Sequence, residues 1–565
     1  MKNKILMKNL SLYLFFSIVF LSFLSACATH TPPNLTVEES IDELMTQLRI
    51  DKAPGCAITV IQQDSIIYSK GFGLSNVEKG TKNTPNTIFD VGSISKSFTA
   101  ACIAKLIMNN KLSLDSKVKE FFPTFNEAIG EATIKHLLHH TSGLRSNEAI
   151  GQLIESPAIH EQTGAFIGDD EDHISLIEMQ QTANYAHGKQ FTYNNTGYWL
   201  LGQIVEKVSG ESLEAFSKKQ IFTPLGMKST SYEYSKNKNL ATGYHTFGRN
   251  EAPKVVDIRS KAIGDGGVYS TTEDMAKWTN EMCSQKIFGS AFWKLMLSKG
   301  TLNNSEELDY GAGIFVKKDY GNTIYSHGGL VPGYFSMFRA YPKNNVSVIV
   351  LTNHTMLDAT QISRQVSDIV VPKKELKVIS LSAEELKKYE GEFFSEQLGW
   401  FRATKVINDT LVYVKPNEND QFPILPLGNN EFLVGKTGIM RFAFSADNKK
   451  RLTLINPGMM DRVLHEKPKK EATKQAVSKQ KINLEKYIGK YKSDEFGLIW
   501  KVYLQEEQLQ IDVISFQSEL KHINDNLFNM EGRFNVQFVE NKDKSQINAF
   551  ILDFGQAKNI KYSKI

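Results

Sequence analysis

"DVGSISKSFTA", residues 90–100, places Ser93 three residues before Lys96. Gly92 precedes the serine, and Ile94, Phe98, Cys102 and Leu106 follow at helical spacing. The pattern predicts a helix from Ser93 to about Asn110. At a helix start, unpaired backbone N–H groups and the positive end of the dipole favour developing negative charge. A lysine three residues on lies on the same face. Shielded from water there, a lysine can take a proton from the serine and turn its hydroxyl into a nucleophile. The spacing alone is not selective, because it recurs at Ser235–Lys238, Ser478–Lys481 and Ser518–Lys521.

Two further stretches discriminate among the four. "FTYNNTGYWLLG" (191–202) sets Tyr193-Asn194-Asn195 just before an apolar helical pattern running from Gly197 to about Val208. A tyrosine there can relay a proton, and an asparagine amide can bind a substrate carbonyl; read alone, the pair is also a loop tyrosine and a helix cap. "YSHGGLVPGY" (325–334) puts His327 at a strand end before Gly328-Gly329. Glycines there let a substrate approach the strand edge. The backbone amides of Leu330 and Ser93 can then form an oxyanion hole, a large term in acyl transfer. Tyr320 and Asn322 repeat the Tyr-x-Asn spacing, but Gly321-Asn322 reads as a hairpin turn.

Ser-x-x-Lys, Tyr-x-Asn and His-x-Gly in this order resemble the serine β-lactamase and penicillin-binding protein family. The closer resemblance is to its class C-related branch, which includes D-aminopeptidases and esterases. "LLHHTSGL" (137–144), "YNNTGYWLLGQIVEKVSG" (193–210) and "GDGGVYSTTEDMAKW" (264–278) resemble that branch too, so the likeness covers residues 45–355. It implies Ser93 as the acylated nucleophile, Lys96 as its partner and Tyr193 as the proton relay. It implies substrate binding by Asn195, His327 and Gly329. His327 stands where class C β-lactamases carry a lysine, which points away from β-lactams and toward D-aminopeptidases. A histidine there titrates near 6.5. The implied function is a serine hydrolase acting through an acyl-enzyme on a small amide or ester, with a D-amino-acid-releasing peptidase favoured. A β-lactamase, a carboxylesterase and a penicillin-binding receptor with little turnover remain open.

Around these motifs the chain reads as an α/β protein. Thr36-Val37-Glu38-Glu39 is a capping box before a helix. "CAITVIQQDSIIYSKGFG" (56–73) reads as two strands about a polar turn, and "NTIYSHGG", "YFSMFRAY" and "VSVIVLTN" read as three more. Strands at both ends with helices between predict a β-lactamase-like domain over 36–372, an antiparallel sheet flanked by helices with a helical insert. In the tail, "YEGEFFSEQLG" (389–399) matches "YIGKYKSDEFG" (487–497) at a shift of 98, and Leu411 and Leu509 keep that shift. Short alternating strands predict two small antiparallel β-barrel repeats, 380–466 and 482–565. The lysine-rich 467–481 reads as an exposed linker. The tail has three candidate roles: ligand binding, restricting access to the site, or spacing.

The first residues carry an address. Lys2, Lys4 and Lys8 precede a fifteen-residue apolar run, Leu10–Leu24, shorter than the ~20 residues a membrane span needs. "LSAC" (24–27) resembles a bacterial lipobox. That implies a lipoprotein signal peptide over 1–26, lipidation of Cys27 and a tether over 27–35. A plain signal peptide and an uncleaved anchor are the alternatives. Ala28 after the cysteine favours the outer membrane, so the expected place is the cell envelope. Cys56, Cys102 and Cys283 remain, an odd number, so at least one thiol is free.

Losing the leader's three lysines takes the formal charge from +4 to +1, and nothing argues for nucleic acid. The expected partners are a small-molecule or short-peptide substrate and the membrane; the sequence does not set an oligomeric state. His136, His139 and His140 have zinc-ligand spacing but lack an evident fourth ligand, so no metal or cofactor is expected. "GDDEDH" (168–173) is either a solvated loop or an acidic patch that attracts a substrate amine.

Overall fold

A computed structural model describes residues 35–565 except 162–164, 234–238, 248–250, 257, 259–260, 320, 373–376, 396–399, 416–419, 435–439, 446–450, 456–461, 467–482, 515–516, 525, 531–533 and 544–545. The expected signal peptide, Cys27 and the 467–481 linker lie outside the described residues. So do Tyr320 and two of the alternative Ser-x-x-Lys pairs, Ser235–Lys238 and Ser478–Lys481. The third alternative serine, Ser518, sits in a barrel strand, Gln517–Asn524. Among the described residues, no helix is long and apolar enough to cross a membrane.

The chain divides into two compact units after Arg49. The first holds helix α1 (Val37–Thr46), closed by the expected capping box: Glu39 N–H donates to Thr36 Oγ1 and Thr36 N–H donates to the Glu39 carboxylate.

The second unit begins with one six-stranded antiparallel sheet. Its strands are β1 (Cys56–Gln62), β2 (Ser65–Phe72), β3 (Phe315–Asp319), β4 (Asn322–Val331), β5 (Tyr334–Tyr341) and β6 (Val346–Thr352), in the order β2-β1-β6-β5-β4-β3. Asn344 and Asn345 turn β5 into β6, and Tyr341 pairs with Val346. Every residue of β6 is buried. Successive strand residues point to opposite faces, so both faces of the sheet centre are covered. That is why "VSVIVLT" reads as a continuous apolar run rather than an alternation.

The helices come largely from the segment between β2 and β3. They are α2 (Ser95–Met108), α3 (Asn147–Leu153), α4 (Asp170–Glu178), α5 (Asn195–Ser209) and α6 (Thr272–Ser284), with α7 (Ala359–Val370) after the sheet. α6 packs on β1, β5 and β6, and α7 on β5 and β6. α2 packs on α5. Phe98, Ala101, Trp199, Leu201 and Trp278 share one core with Phe338, Ile349 and Leu351 of the sheet. Each large side chain buried there contributes roughly 1.5–3 kcal/mol.

Two helix starts differ from the sequence reading. A 3₁₀ turn, Gly92–Ile94, precedes α2, so Ser93 sits in the tighter turn rather than in the helix. α5 begins earlier than expected because Asn194 caps it, accepting the Gly197 N–H at 2.9 Å. It ends at Gly210, whose φ of +73° suits a glycine cap.

The tail forms two closed eight-stranded barrels in which each strand pairs with the next. The first closes where Gly391–Ser395 meets Arg462–Glu466, the second where Gly489–Ser493 meets Ala557–Lys564. The repeat has a physical basis. Tyr389 donates to Asn430 Oδ1 at 2.8 Å, and Tyr487, its match, donates to Asn526 Oδ1 at 2.7 Å. Leu411 and Leu509 are both buried in their barrels. Rings fill the second barrel: Tyr491, Trp500, Phe538, Phe550 and Tyr562 pack centroid to centroid within about 6 Å.

Truncating the central strand tests the shared core. Ile349→Ala should lower unfolding stability by about 2–5 kcal/mol, read as a lower urea midpoint with an unchanged slope.

Candidate active site

Ser93 and Lys96 come together at the start of α2. Gly92 has a φ of +53°, and its N–H donates to Asp90 Oδ1 at 2.8 Å. A Cβ on Gly92 would lie 3.1 Å from Gly329 Cα and 3.2 Å from the Leu330 nitrogen. A Cβ on Gly329 would lie 2.0 Å from Val91 O and 2.9 Å from the Ser93 nitrogen. The end of β4 can lie against the Ser93 turn only because both residues are glycine. Ser336 bridges the contact, donating to Val91 O at 2.6 Å. The Ser93 and Leu330 amides are thereby neighbours, while the Leu330 side chain is 55% exposed.

Lys96 is fully buried. Its Nζ donates to Ser93 Oγ at 3.2 Å and to Asp265 O at 2.7 Å. Thr99 Oγ1 fixes the same loop by donating to Gly264 O at 2.6 Å. The Lys96 Nζ also lies 5.1 Å from the Tyr193 ring centroid and 5.8 Å from that of Tyr198. The Tyr193 hydroxyl is buried and has no hydrogen-bond partner among the described residues. The Ser93 hydroxyl, the Lys96 amine and the Tyr193 ring therefore stand around one point.

Asn195 is held differently from the sequence expectation. Its Nδ2 donates to Glu148 Oε1 at 2.8 Å, and its Oδ1 is buried without a partner among the described residues. The carboxylate fixes which end of the amide faces it, so Asn195 offers an acceptor to the site rather than a donor. Asp265 adds a second carboxyl. Burial pushes it up to about 6; neighbouring Lys96 opposes that shift and Glu148 adds to it.

His327 is buried beside this group. Its Nδ1 bonds Gly328 O at 2.7 Å and must carry the proton, so Nε2 accepts from the Tyr310 hydroxyl at 3.0 Å. The expected titration near 6.5 is not what this environment gives. Burial carries the histidine down to about 3, against the pull of the Gly328 carbonyl and with help from Lys96. The ring is neutral through the physiological range, and it is Asp265 that titrates there.

Four site neighbours were missed in the sequence. Asp265 and His140 lie within the stretches "GDGGVYSTTEDMAKW" and "LLHHTSGL", but nothing in those stretches marks their roles. Glu148 and Tyr310 carry no motif at all. His140 Nδ1 accepts the Asn194 N–H at 3.1 Å, and its ring lies 4.3 Å from that of Tyr193. The three clustered histidines serve separate tasks: His136 bonds Thr133, His139 bonds Ser298 O, and His140 holds the Tyr193 motif. The acidic "GDDEDH" stretch is a helix start. Asp169 caps α4, and Asp170 accepts from Trp199 Nε1 at 2.7 Å and Gln203 Nε2 at 3.0 Å.

Comparison with known proteins gives matches of the same kind. The Beta-lactamase family model matches residues 38–367. Protein flp of Staphylococcus aureus (strain N315) is 26% identical over 372 residues, 63% of this chain and 70% of that protein. Penicillin-binding protein 4* of Bacillus subtilis (strain 168) is 28% identical over 309 residues, 51% of this chain and 65% of that protein. The octameric penicillin-binding protein homologue from Pyrococcus abyssi superposes with a TM-score of 0.53 at 24% identity, covering 84% of this chain and 98% of that one. At that identity the likeness is one of fold.

Two pH dependences follow from these surroundings. The pH–rate profile on a neutral chromogenic ester should bend near pH 6, and Asp265→Asn should remove the bend; a bend that persists in that variant would assign it elsewhere. Stability should fall as pH drops from about 6.5 toward 4. Burial lowers His136 and His139 to about 4 and His327 to about 3, so in that window the unfolded chain binds more protons. Asp265, shifted upward, acts in the opposite sense but is one group against several. Urea midpoints measured across pH 4–7 check the sign.

Proposed function

The chain belongs to the Beta-lactamase family, and we propose that it is a serine hydrolase that forms an acyl-enzyme at Ser93 on a small amide. The observation that carries this reading is the buried Lys96 amine donating to Ser93 Oγ at 3.2 Å beneath the Tyr193 ring. Ser93 attacks the substrate carbonyl while Lys96, as the free amine, takes its one proton and hands it on through the Tyr193 hydroxyl. The tetrahedral oxygen rests on the Ser93 and Leu330 amides, the leaving amine takes the proton, and water then releases the acyl group.

The favoured substrate is a short peptide or amide with a free amine, releasing a D-amino acid. Two features support the amine. Asn195 offers a buried acceptor with no partner among the described residues, Glu148 supplies a carboxylate on its amide, and Asp265 carries a second carboxyl near Lys96 and Glu148. A donor-rich cation matches that lining better than an anion does. The D configuration rests on the resemblance of His327-Gly328-Gly329 and the two tail barrels to D-aminopeptidases. Cys27, in "LSAC", is proposed as the lipidated residue that holds the enzyme on a bacterial membrane, the outer membrane favoured, facing periplasm or exterior.

The assay compares a D-alanyl anilide, its N-acetyl form, a p-nitrophenyl ester and a chromogenic cephalosporin. The free-amine anilide should be the best substrate, and acetylation should lower kcat/KM by about tenfold or more. Ser93→Ala should cost about 10³-fold or more in kcat, and Tyr193→Phe about 10²-fold. Turnover of the cephalosporin alone would make the protein a β-lactamase. A stable penicillin adduct without turnover would make it a receptor, and activity surviving in Ser93→Ala would remove the site.

A further inference from the structure

A buried ion pair joins the second barrel to the segment behind the site. Arg145 and Glu495 are 0% and 3% exposed, and the Arg145 guanidinium grips the Glu495 carboxylate with both terminal nitrogens. Arg145 Nε donates to Lys558 O at 2.9 Å and Nη2 to Thr182 Oγ1 at 2.6 Å. Glu495 also accepts the Gln181 N–H at 3.1 Å. A planar fork satisfied on several sides holds its own backbone in one place.

That backbone, residues 144–148, is what holds the Tyr193-Asn194-Asn195 motif from behind. Leu144 O accepts from Asn194 Nδ2 at 2.9 Å. Asn147 N–H donates to Thr196 Oγ1 at 2.9 Å, and Glu148 accepts from Asn195. The barrel touches the same segment a second time, where Ser146 N–H donates to Gln556 O at 3.2 Å. The segment is thus clamped between the barrel on one side and the proton-relay motif on the other. The matching position of the first repeat is Gln397, so only the second copy carries the acid. The second barrel's core is filled with rings, as befits a rigid support.

We propose that Glu495 is a positioning residue for acyl transfer: through Arg145 it sets where residues 144–148 hold Asn194 and Asn195, and so where Tyr193 stands over Lys96. The inference rests on Ser93 being the nucleophile. It gives the second barrel a task in the reaction, distinct from ligand binding or spacing.

The test uses the full chain, with rates of labelling by a fluorescent penicillin and turnover of a p-nitrophenyl ester, beside thermal midpoints. Ser93→Ala comes first, because labelling or turnover that survives there sinks the nucleophile and leaves Glu495 nothing to position. With that control silent, Glu495→Gln should lower kcat/KM by about tenfold, mostly in kcat, at temperatures where the variant is fully folded. Arg145→Lys should do the same, and the double variant should be no worse than either single one, as expected of one coupled unit. Thr182→Ala, a milder change at the same contact, should cost about threefold and decides the matter if Glu495→Gln does not fold. Leu509→Ala, in the barrel core away from the contact, should lower the thermal midpoint and leave the kinetics of the folded protein within about twofold. Glu495 and Thr182 variants that behave like Leu509→Ala would overturn the proposal, leaving Glu495 a docking residue only.

Discussion

The burial of Lys96 organises the part of the molecule that matches the Beta-lactamase family. An amine with no exposure to water is costly unless its donors are met. Here one donor meets Ser93 Oγ, one meets Asp265 O, and the Tyr193 and Tyr198 rings lie over the nitrogen. Each partner comes from a different part of the chain, so satisfying one nitrogen draws together the 3₁₀ turn, the 264–267 loop and the start of α5. The polar need of a single side chain and the assembly of the candidate site are the same event.

Around it, charge is sorted by burial. His140 and His327 are kept neutral and serve as fixed hydrogen-bonding rings: His140 accepts from the Asn194 backbone, and His327 accepts from Tyr310. The carboxyl groups lie toward Asn195 instead. In this arrangement burial raises Asp265 to about 6 and holds the histidines low. His327 then contributes shape and hydrogen bonding at its position without a titration near neutrality.

Much of this was legible in the sequence. β4, β5 and β6 follow "NTIYSHGG", "YFSMFRAY" and "VSVIVLTN" because β-branched and aromatic runs bounded by turn residues have few alternatives. The barrels were legible because the chain repeats itself at a shift of 98. Ser93, Lys96 and Tyr193 could be picked out as candidates because each sits at an element boundary, and the structure brings the three side chains together. Glu148, Asp265 and Tyr310 were not, since each reaches the site from a loop or short helix with no periodic signal. The titration of His327 was misjudged for a related reason: it depends on burial by Tyr310 and Phe315, which only the fold brings near. Asn195 was misjudged in polarity, because the carboxylate that turns its amide lies 47 residues away.

Arg145 and Glu495 are 350 residues apart, and Glu495 lies beside the strand that the chain's final strand must close. α2 and the sheet can form from segments made before the tail barrels. The clamp on residues 144–148 cannot, because its partner does not exist until the second barrel has been synthesised. Over the 350 residues between them the growing chain carries a guanidinium destined for burial with no Glu495 carboxylate yet to meet it. A segment made 350 residues later completes the seating of an earlier loop, so an early guanidinium and a late carboxylate meet in one pair.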